Sequence, residues 1–540
     1  MKRRNRFRKW VMGMLVICMA AKAALSSRAE VSSPLPYLKA ATYVSDAWVI
    51  NFWNTESDHM DEEMAQIAAD GFNSIVLVIP WREFQPSVNP VSYNDYAFQK
   101  LDRVMREAEA HGLWVSVRVS YTWDYYGDED ARNRFFQMLG GGKVRDAWLR
   151  YVEKIYSVCS AHTNFYGGFI TWEDFWNYTE DVSSFGDGER SVKEAQRIGY
   201  QDYLRDHLDL EMVSSHYQNA QPFTDFDEVP IPSRESPAYR FFYDFYDKML
   251  MELLQDAQQV FPNLSMEVRL DVDPVNGMAG NKVGAHHFQT FPCGSSSYTS
   301  LMYSISMGQK NQGERITASQ AIREMNEQLS LVKMYNDGKP IFIDQLLYMD
   351  ATEEFSHNAQ LYDHERNPYL MALPPVLRGY TNGYAVWSYR NYTNNPVYNC
   401  QFALGEYGWD TSRASVRIYN GSSQMFLQSG GKITQQIGSR ISGKRTHDNM
   451  VRFTAESTQP VTVSVTLGQQ TKEVQVMGAG TFELDFGRHE YDLITFRTNG
   501  DVYLDNIDVY NFIQDGQLYD IYGNELSCLD AMRRLNDMMN

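Results

Sequence analysis

Four charged residues stand at alternate positions of one apolar segment in the middle of the chain. They are Glu267, Arg269, Asp271 and Asp273, with apolar residues between them. Side chains alternate between the two faces of a β-strand, so a strand here places all four charges on one face. Burying charges is costly unless they pair or line a wet site. The face therefore predicts either a structural ion-pair network, with Arg118 as a partner, or a binding floor that supplies a carboxylate.

A further carboxylate stands between aromatic residues. Glu173 lies at the end of an apolar run and is flanked by Trp172 and Trp176. Aromatic neighbours desolvate a carboxyl group and favour its protonated form, which a general acid needs. Glu173 is therefore the candidate acid, with Asp174 and Glu180 as fallbacks. The alternative is that it caps the following segment or pairs with an arginine.

The elements that must position these residues alternate between strands and helices from about residue 45 to 392. Such alternation is typical of a parallel α/β architecture, and eight βα units favour a closed TIM barrel, (β/α)₈, over an open doubly wound sheet. A dinucleotide-binding sheet would also need a Gly-rich turn after its first strand, which this sequence lacks. The predicted strands are Trp48–Trp53, Asn73–Trp81, Leu113–Tyr121, Gly167–Glu173, Leu264–Asp271, Tyr298–Ile305, Pro340–Leu346 and Asn382–Tyr389.

The pattern changes after about Cys400. Short alternating segments separated by turn residues now dominate, which is typical of a β-sandwich. A short helix at Cys528–Met538 is predicted to finish the chain. The predicted organisation is a signal peptide (1–29), a barrel (40–400), a C-terminal β-sandwich (401–512) and a helical tail (513–540).

Functional residues of a TIM barrel come from the carboxyl ends of its strands. Strand seven supplies Asp344 and Gln345 there, and aromatic residues recur at the other strand ends. These aromatic residues include Trp53, Trp81, Trp123 and Trp387. Any one of them is an ordinary packing residue on its own, but their recurrence favours a carbohydrate ligand.

These strand ends resemble the clan A-type (β/α)₈-barrel glycoside hydrolases, the superfamily of cellulases, mannanases and β-galactosidases. The resemblance covers about residues 40 to 395 and implies that Glu173 is the catalytic acid/base, although Trp172 replaces the usual asparagine before it. Strand seven is similar to the clan's nucleophile strand, but Gln345 occupies the nucleophile position. Because a glutamine cannot attack an anomeric carbon, Asp344 or Asp271 becomes the candidate second carboxylate.

The same resemblance implies roles in substrate binding. Trp387 matches the tryptophan that forms the floor of the sugar subsite, and Tyr303 matches a tyrosine that hydrogen-bonds the nucleophile. The other residues predicted to bind substrate are Arg118, Arg269, Glu267, Gln345, Trp53 and Trp81.

Composition narrows the classes of partner. The formal net charge of −19 and the pI of about 5.1 exclude nucleic acid and anionic membrane surfaces. The four cysteines beyond the N-terminal segment show no metal-ligand spacing, so no metal and no cofactor are predicted, and disulfides are left open. An aromatic content of 14% fits a protein that stacks rings against a carbohydrate.

The N-terminus has the layout of a secretory signal, with a basic start, an apolar run from Trp10 to Ala21 and small residues after it. We therefore expect a secreted, periplasmic or cell-surface protein, with an uncleaved anchor as the alternative. Two functions follow: an exported glycoside hydrolase that uses two carboxylates, or a catalytically inactive glycan-binding barrel for attachment or export of surface polysaccharide.

Overall fold

The computed structural model describes most of the chain from residue 36 onward, and Leu38–Asn540 forms one compact unit. The described residues are 36–55, 59–121, 129–171, 173–186, 188–218, 221–269, 272–276, 282–286, 296–305, 313–349, 359–437, 444–445 and 447–540.

Eight parallel strands close into a barrel, which confirms the predicted fold class. Their order around the barrel follows the chain, each strand pairing with the next and the first with the last. The strands are β1 (Leu38–Thr42), β2 (Ser74–Pro80), β3 (Trp114–Tyr121), β4 (Phe165–Ile170), β5 (Ser265–Arg269), β6 (Thr299–Ser304), β7 (Ile341–Leu347) and β8 (Thr381–Val386).

The prediction of strand one at Trp48–Trp53 is wrong. The first strand is Leu38–Thr42, and Asn51–Trp53 forms a 3₁₀ turn in the loop that follows it. Leu38–Thr42 is buried along its whole length, as expected for a parallel strand covered on both sides. The aromatic residues of 48–53 pack as a loop over the carboxyl end of the barrel, which explains why they read as a buried strand.

Helices surround the barrel and fill a long insertion between β4 and β5. The helix α10 begins with a capping box in which Thr317 and Gln320 satisfy each other's main-chain N–H groups. A single helical turn, Trp81–Phe84, follows β2. The described α-helices of seven or more residues are α1 (Met60–Ala69), α2 (Asp95–Ala110), α3 (Glu129–Leu139), α4 (Gly142–Cys159), α5 (Glu173–Ser183), α6 (Glu189–Ile198), α7 (Tyr200–His207), α8 (Leu210–Tyr217), α9 (Tyr239–Val260), α10 (Ala318–Tyr335), α11 (Arg366–Ala372), α12 (Pro374–Tyr380) and α13 (Leu529–Met538).

After the barrel the chain forms a β-sandwich domain of antiparallel strands around its own apolar core. β11 and β13 each pair with both β15 and β16, so the two layers are joined through shared strands. The strands are β9 (Tyr392–Asn394), β10 (Asp410–Tyr419), β11 (Ser422–Gln436), β12 (Lys444–Arg445), β13 (Asn449–Leu467), β14 (Gln470–Gly487), β15 (Leu493–Thr498) and β16 (Val502–Gln514).

The last helix belongs to the barrel. Asn536 of α13 accepts a hydrogen bond from Tyr384 on the outer face of β8, and its carbonyl accepts one from Lys39 on β1 at 3.1 Å. Arg533 pairs with Asp70 at the end of α1 at 2.8 Å. The helix α13 therefore covers the seam between β8 and β1. The sandwich is thus inserted between β8 and α13, which is the barrel helix that follows β8. The helix predicted at Cys528–Met538 is present as Leu529–Met538.

Within the described residues, no helix is long and apolar enough to cross a membrane.

Candidate functional site

The interior of the barrel contains a buried pair of opposite charges. Arg118 on β3 and Glu267 on β5 lie 2.8 Å apart, with side chains 2% and 0% exposed. Glu267 also contacts Arg269 at 3.2 Å, and Arg118 donates to Thr171 just beyond β4 at 2.8 Å. Of the charged face predicted for strand five, Glu267 and Arg269 therefore point into the barrel, and Arg118 is the partner of Glu267; Asp273 lies in a separate strand, Val272–Asn276. Glu267 pairs with arginine on two sides, which is the arrangement expected of the structural ion-pair network.

Strand β7 contains a β-bulge at Asp344 and Gln345. Tyr384 faces outward, because its hydroxyl bonds Asn536 of α13, and Ile343 and Leu346 pair with Tyr384 and Val386 on that outer face. Two residues instead of one separate Ile343 from Leu346, so the pairing shifts there. Asp344 and Gln345, which lie between them, both face the interior of the barrel, and they are 1% and 4% exposed.

The carboxyl group of Asp344 lies near the hydroxyl of Tyr298. Burial, then Tyr166 and Asp344, raise the pKa of Tyr298, so its hydroxyl stays protonated. That hydroxyl donates to the carbonyl of Gly168 on β4 at 2.7 Å. Asp344 is thus held well inside the barrel, among groups that keep their protons.

Glu173 is the first residue of α5, directly after the end of β4. Its backbone lies at the carboxyl end of the barrel, where the predicted catalytic acid is required. The fallback residues Asp174 and Glu180 lie on the same helix. The side chains of all three lie outside the described part of the structure.

Trp387 follows β8 and is partly buried, and its peptide bond to Ser388 is cis. Its ring meets Trp48 edge to face at 5.7 Å between centroids, and Trp48 stacks on Tyr392 at 4.8 Å. This aromatic group stands at the carboxyl end of the barrel with part of Trp387 open to solvent. Trp387, which was predicted to stack against a sugar ring, is thus partly exposed at the end of the barrel where such a ring would bind.

Two other tryptophans were predicted as binding residues, and the structure contradicts this. Trp53 and Trp81 are 1% and 0% exposed. Their indole N–H groups donate to Val78 O at 2.8 Å and to Gln85 Oε1 at 2.7 Å. Neither ring has a free face on which a sugar could stack, so both are packing residues.

Tyr303 does not reach the interior of the barrel. Burial and the neighbouring Tyr369 and Glu324 raise its pKa, and both neighbours belong to outer helices, α11 and α10. The prediction that Tyr303 bonds a nucleophile is therefore wrong. The tyrosine near Asp344 is Tyr298, which the alternation of strand six could have identified, because Tyr298 and Tyr303 fall on opposite faces.

The remaining predictions concern Asp271, the cysteines and metal binding. Asp271 lies outside the described residues, and β5 ends at Arg269. Cys159, Cys400 and Cys528 are buried free thiols, while Cys293 lies outside the described part. In the described ranges no cluster of three or more potential ligands could hold a metal ion.

No protein-family model and no curated protein sequence matches the chain. Solved structures do resemble it. The GH5_18 protein from Streptomyces cattleya, in complex with Manβ1-4GlcNAc, is 14% identical over 67% of this chain and 72% of its own, with a TM-score of 0.40. A β-galactosidase from Bacillus circulans is 10% identical over 67% and 52% of the two chains, with a TM-score of 0.47. An exo-β-1,4-mannosidase from an Opitutaceae bacterium is 12% identical over 66% and 52%, with a TM-score of 0.40.

Proposed function

We propose that the chain is an exported glycoside hydrolase with Glu173 as the acid and Asp344 as the second carboxylate. The observation that carries this proposal is the bulge in β7. A carboxylate that the sequence seemed to lack at Gln345 is supplied by the preceding residue, which faces the same interior. Hydrolysis of a glycosidic bond uses two carboxyl groups, one as acid and one as nucleophile or base.

The positions of the two carboxylates suit this division of roles. Glu173 follows β4 and Asp344 lies on β7, and two strands stand between β4 and β7 around the barrel. Residues so placed can approach one bond from different sides. Trp387 at the end of β8 would hold the sugar ring beside the bond.

The test is release of reducing ends from β-linked glucosides, galactosides and mannosides and from polysaccharides. Glu173→Gln and Asp344→Asn are each expected to lower kcat by at least about 10²-fold, the size of a typical general-acid contribution. Asp70→Asn is the matched control. Asp70 is equally buried but accepts hydrogen bonds from Tyr389 and Tyr519 away from the barrel interior. Activity that survives Asp344→Asn removes Asp344 from the proposal.

A second function, glycan binding without turnover, is favoured by one observation. Asp344 is 1% exposed, and the Arg118–Glu267 pair also occupies the interior of the barrel, as expected of a structural network. Calorimetric binding of an oligosaccharide without release of reducing ends would support this function over hydrolysis.

Export rests on the basic and apolar N-terminal segment, which lies outside the described residues. The expected observation is a mature N-terminus near residue 29 when protein from the cell envelope or medium is analysed by mass spectrometry. An intact Met1 on envelope-bound protein would instead indicate an anchor.

A further inference from the structure

The segment 515–519, which follows the sandwich, lies against the chain that leaves β8. Gln517 N donates to Ser388 O at 2.9 Å, and Leu518 N donates to Tyr389 O at 3.2 Å. Asn391 N donates in return to Tyr519 O at 2.9 Å. The loop that carries Trp387 is therefore braced by a segment that arrives from the sandwich, in addition to its contact with Trp48 in the loop after β1.

The approach of the two backbones is very close at Gly516. A Cβ added to Gly516 would lie 1.9 Å from Arg390 C and from Asn391 N. No side chain fits there. Glycine is therefore required because the two main chains approach so closely, and not because of its backbone angles. Asn391 Oδ1 accepts hydrogen bonds from the N–H groups of Asp515 and Gly516 at 3.0 and 2.7 Å, which fixes the crossing.

The side chain of Gln517 joins the ends of two barrel strands. Its amide nitrogen donates to the carbonyl of Trp387 after β8 and to the carbonyl of Met349 after β7, the latter at 3.3 Å. Gln517 is 1% exposed, and an amide has two N–H donors, so both are used. The side chain of Gln517 thus links the segment after β7 to the segment after β8.

We propose that Gln517 is a positioning residue for the sugar platform Trp387. It holds the main chain of Trp387 relative to the strand that carries Asp344, although it belongs to neither. This inference rests on the proposed function in that Trp387 is taken to contact the substrate. Gln517 itself touches no reacting atom.

The experiment compares Gln517→Leu, which keeps the size and loses both donors, with the wild type. KM for the best substrate is expected to rise about tenfold to a hundredfold with a smaller change in kcat, since displacing a contact by about 1 Å has effects of that order. In a Trp387→Phe background the same change should raise KM no further. Gln517→Asn, whose shorter amide reaches fewer partners, serves if the leucine variant does not fold.

Gln201→Leu is the matched control, because Gln201 is 3% exposed and donates to two main-chain carbonyls, Asp227 O and Val229 O, at 2.9 and 3.0 Å. It should lower the melting temperature comparably and leave KM unchanged.

A readout independent of activity is the emission of Trp387, obtained as wild type minus Trp387→Phe, which cancels the other ten tryptophans of the eleven. Gln517→Leu should shift this difference spectrum and Gln201→Leu should not. Unchanged KM and an unchanged spectrum would overturn the proposal. A shifted spectrum in a protein that neither binds nor cleaves glycans would retain the positioning role and reject the proposed function.

Discussion

At the scale of residues, the charges inside the barrel are the feature that the sequence predicted best. Alternation in strand five placed Glu267 and Arg269 on one face, and Arg118 was their expected partner. The ion pair between Arg118 and Glu267 is present at 2.8 Å. A buried pair costs desolvation, so removing one partner leaves the other charge uncompensated.

We therefore expect Glu267→Gln to lower the free energy of unfolding by about 3–5 kcal/mol, measured by urea denaturation. The control is Glu252→Gln, because Glu252 and Lys248 form an exposed pair at 3.4 Å. Loss of an exposed pair should change stability by less than about 1 kcal/mol. Similar small losses of unfolding free energy at both sites would contradict this prediction, because they would show that Arg118 is hydrated when Glu267 no longer pairs with it.

A second residue predicts a pH dependence. Burial raises the pKa of Asp505 in the sandwich to about 6, above its value of about 4 in an unfolded chain. The folded state thus binds the proton more tightly, and the resulting stability is complete below about pH 4 and lost as the pH rises through 6. Relative to Asp505→Asn, the wild type should lose about 1–3 kcal/mol of unfolding free energy between pH 4 and 7.

Denaturation series at several pH values check this difference. Asp492→Asn, at an exposed position of the same domain, should retain the wild-type dependence. Parallel curves for the wild type and Asp505→Asn would contradict the assignment.

At the scale of elements, patterns located the strands but not their irregularities. The notable failures have physical causes. Apolar loop residues near Trp48 imitated a strand, whereas the true β1, with Lys39 as its second residue, looked less apolar. In strand β11, exposed Ser429 and Gly430 are followed by Gly431, a sequence that indicates a turn rather than the middle of a strand.

The bulge of β7 was beyond prediction for a different reason. Counting along the strand assigned the nucleophile position to Gln345, whereas Asp344 next to it also faces the interior. A bulge depends on how a strand pairs with both neighbours, and no local pattern in Ile341–Leu347 encodes it. Side-chain direction therefore had to come from the structure.

For the helix α13 we predict that packing against the barrel, not helix propensity, holds it in place. Met532 is fully buried, and Met532→Ala should lower the unfolding free energy by about 2–5 kcal/mol. Arg534 on the exposed side of the same helix is the control, and Arg534→Ala should stay within about 0.5 kcal/mol. Equal, small effects in urea denaturation would mean that the helix is a loosely attached tail.

At the scale of the whole molecule, the barrel and the sandwich share their framework. The sandwich strand β9 bonds both to β16 and, at Thr393, to the loop after β1. Asn395 joins Asn51 of that loop to Val509 of β16. Two domains linked in this way should not unfold separately.

We predict one cooperative transition in scanning calorimetry for the chain without its signal segment, with probes of tertiary structure in the barrel and the sandwich changing together. The difference between the wild type and Trp387→Phe isolates a barrel signal, and the difference between the wild type and Trp409→Phe isolates a signal from the sandwich core. Two resolved transitions would show that the parts are independent.

The sequence predicted the two classes of domain and their order, because periodicity changes from alternating helix and strand to strands alone. It did not predict that one is inserted into the other, since that depends on where Leu529–Met538 docks. Short amphipathic helices have no signal for their partner.

The docking of α13 has a consequence for the newly made protein. About 140 residues separate β8 from this helix, and at about 5–20 residues per second the ribosome needs on the order of ten seconds to make them. During that time the barrel lacks α13, and the apolar seam that Leu529, Met532 and Leu535 will cover is open. The sandwich residues must therefore be synthesised before α13 can cover the barrel, and this apolar seam stays exposed in the nascent chain over that interval.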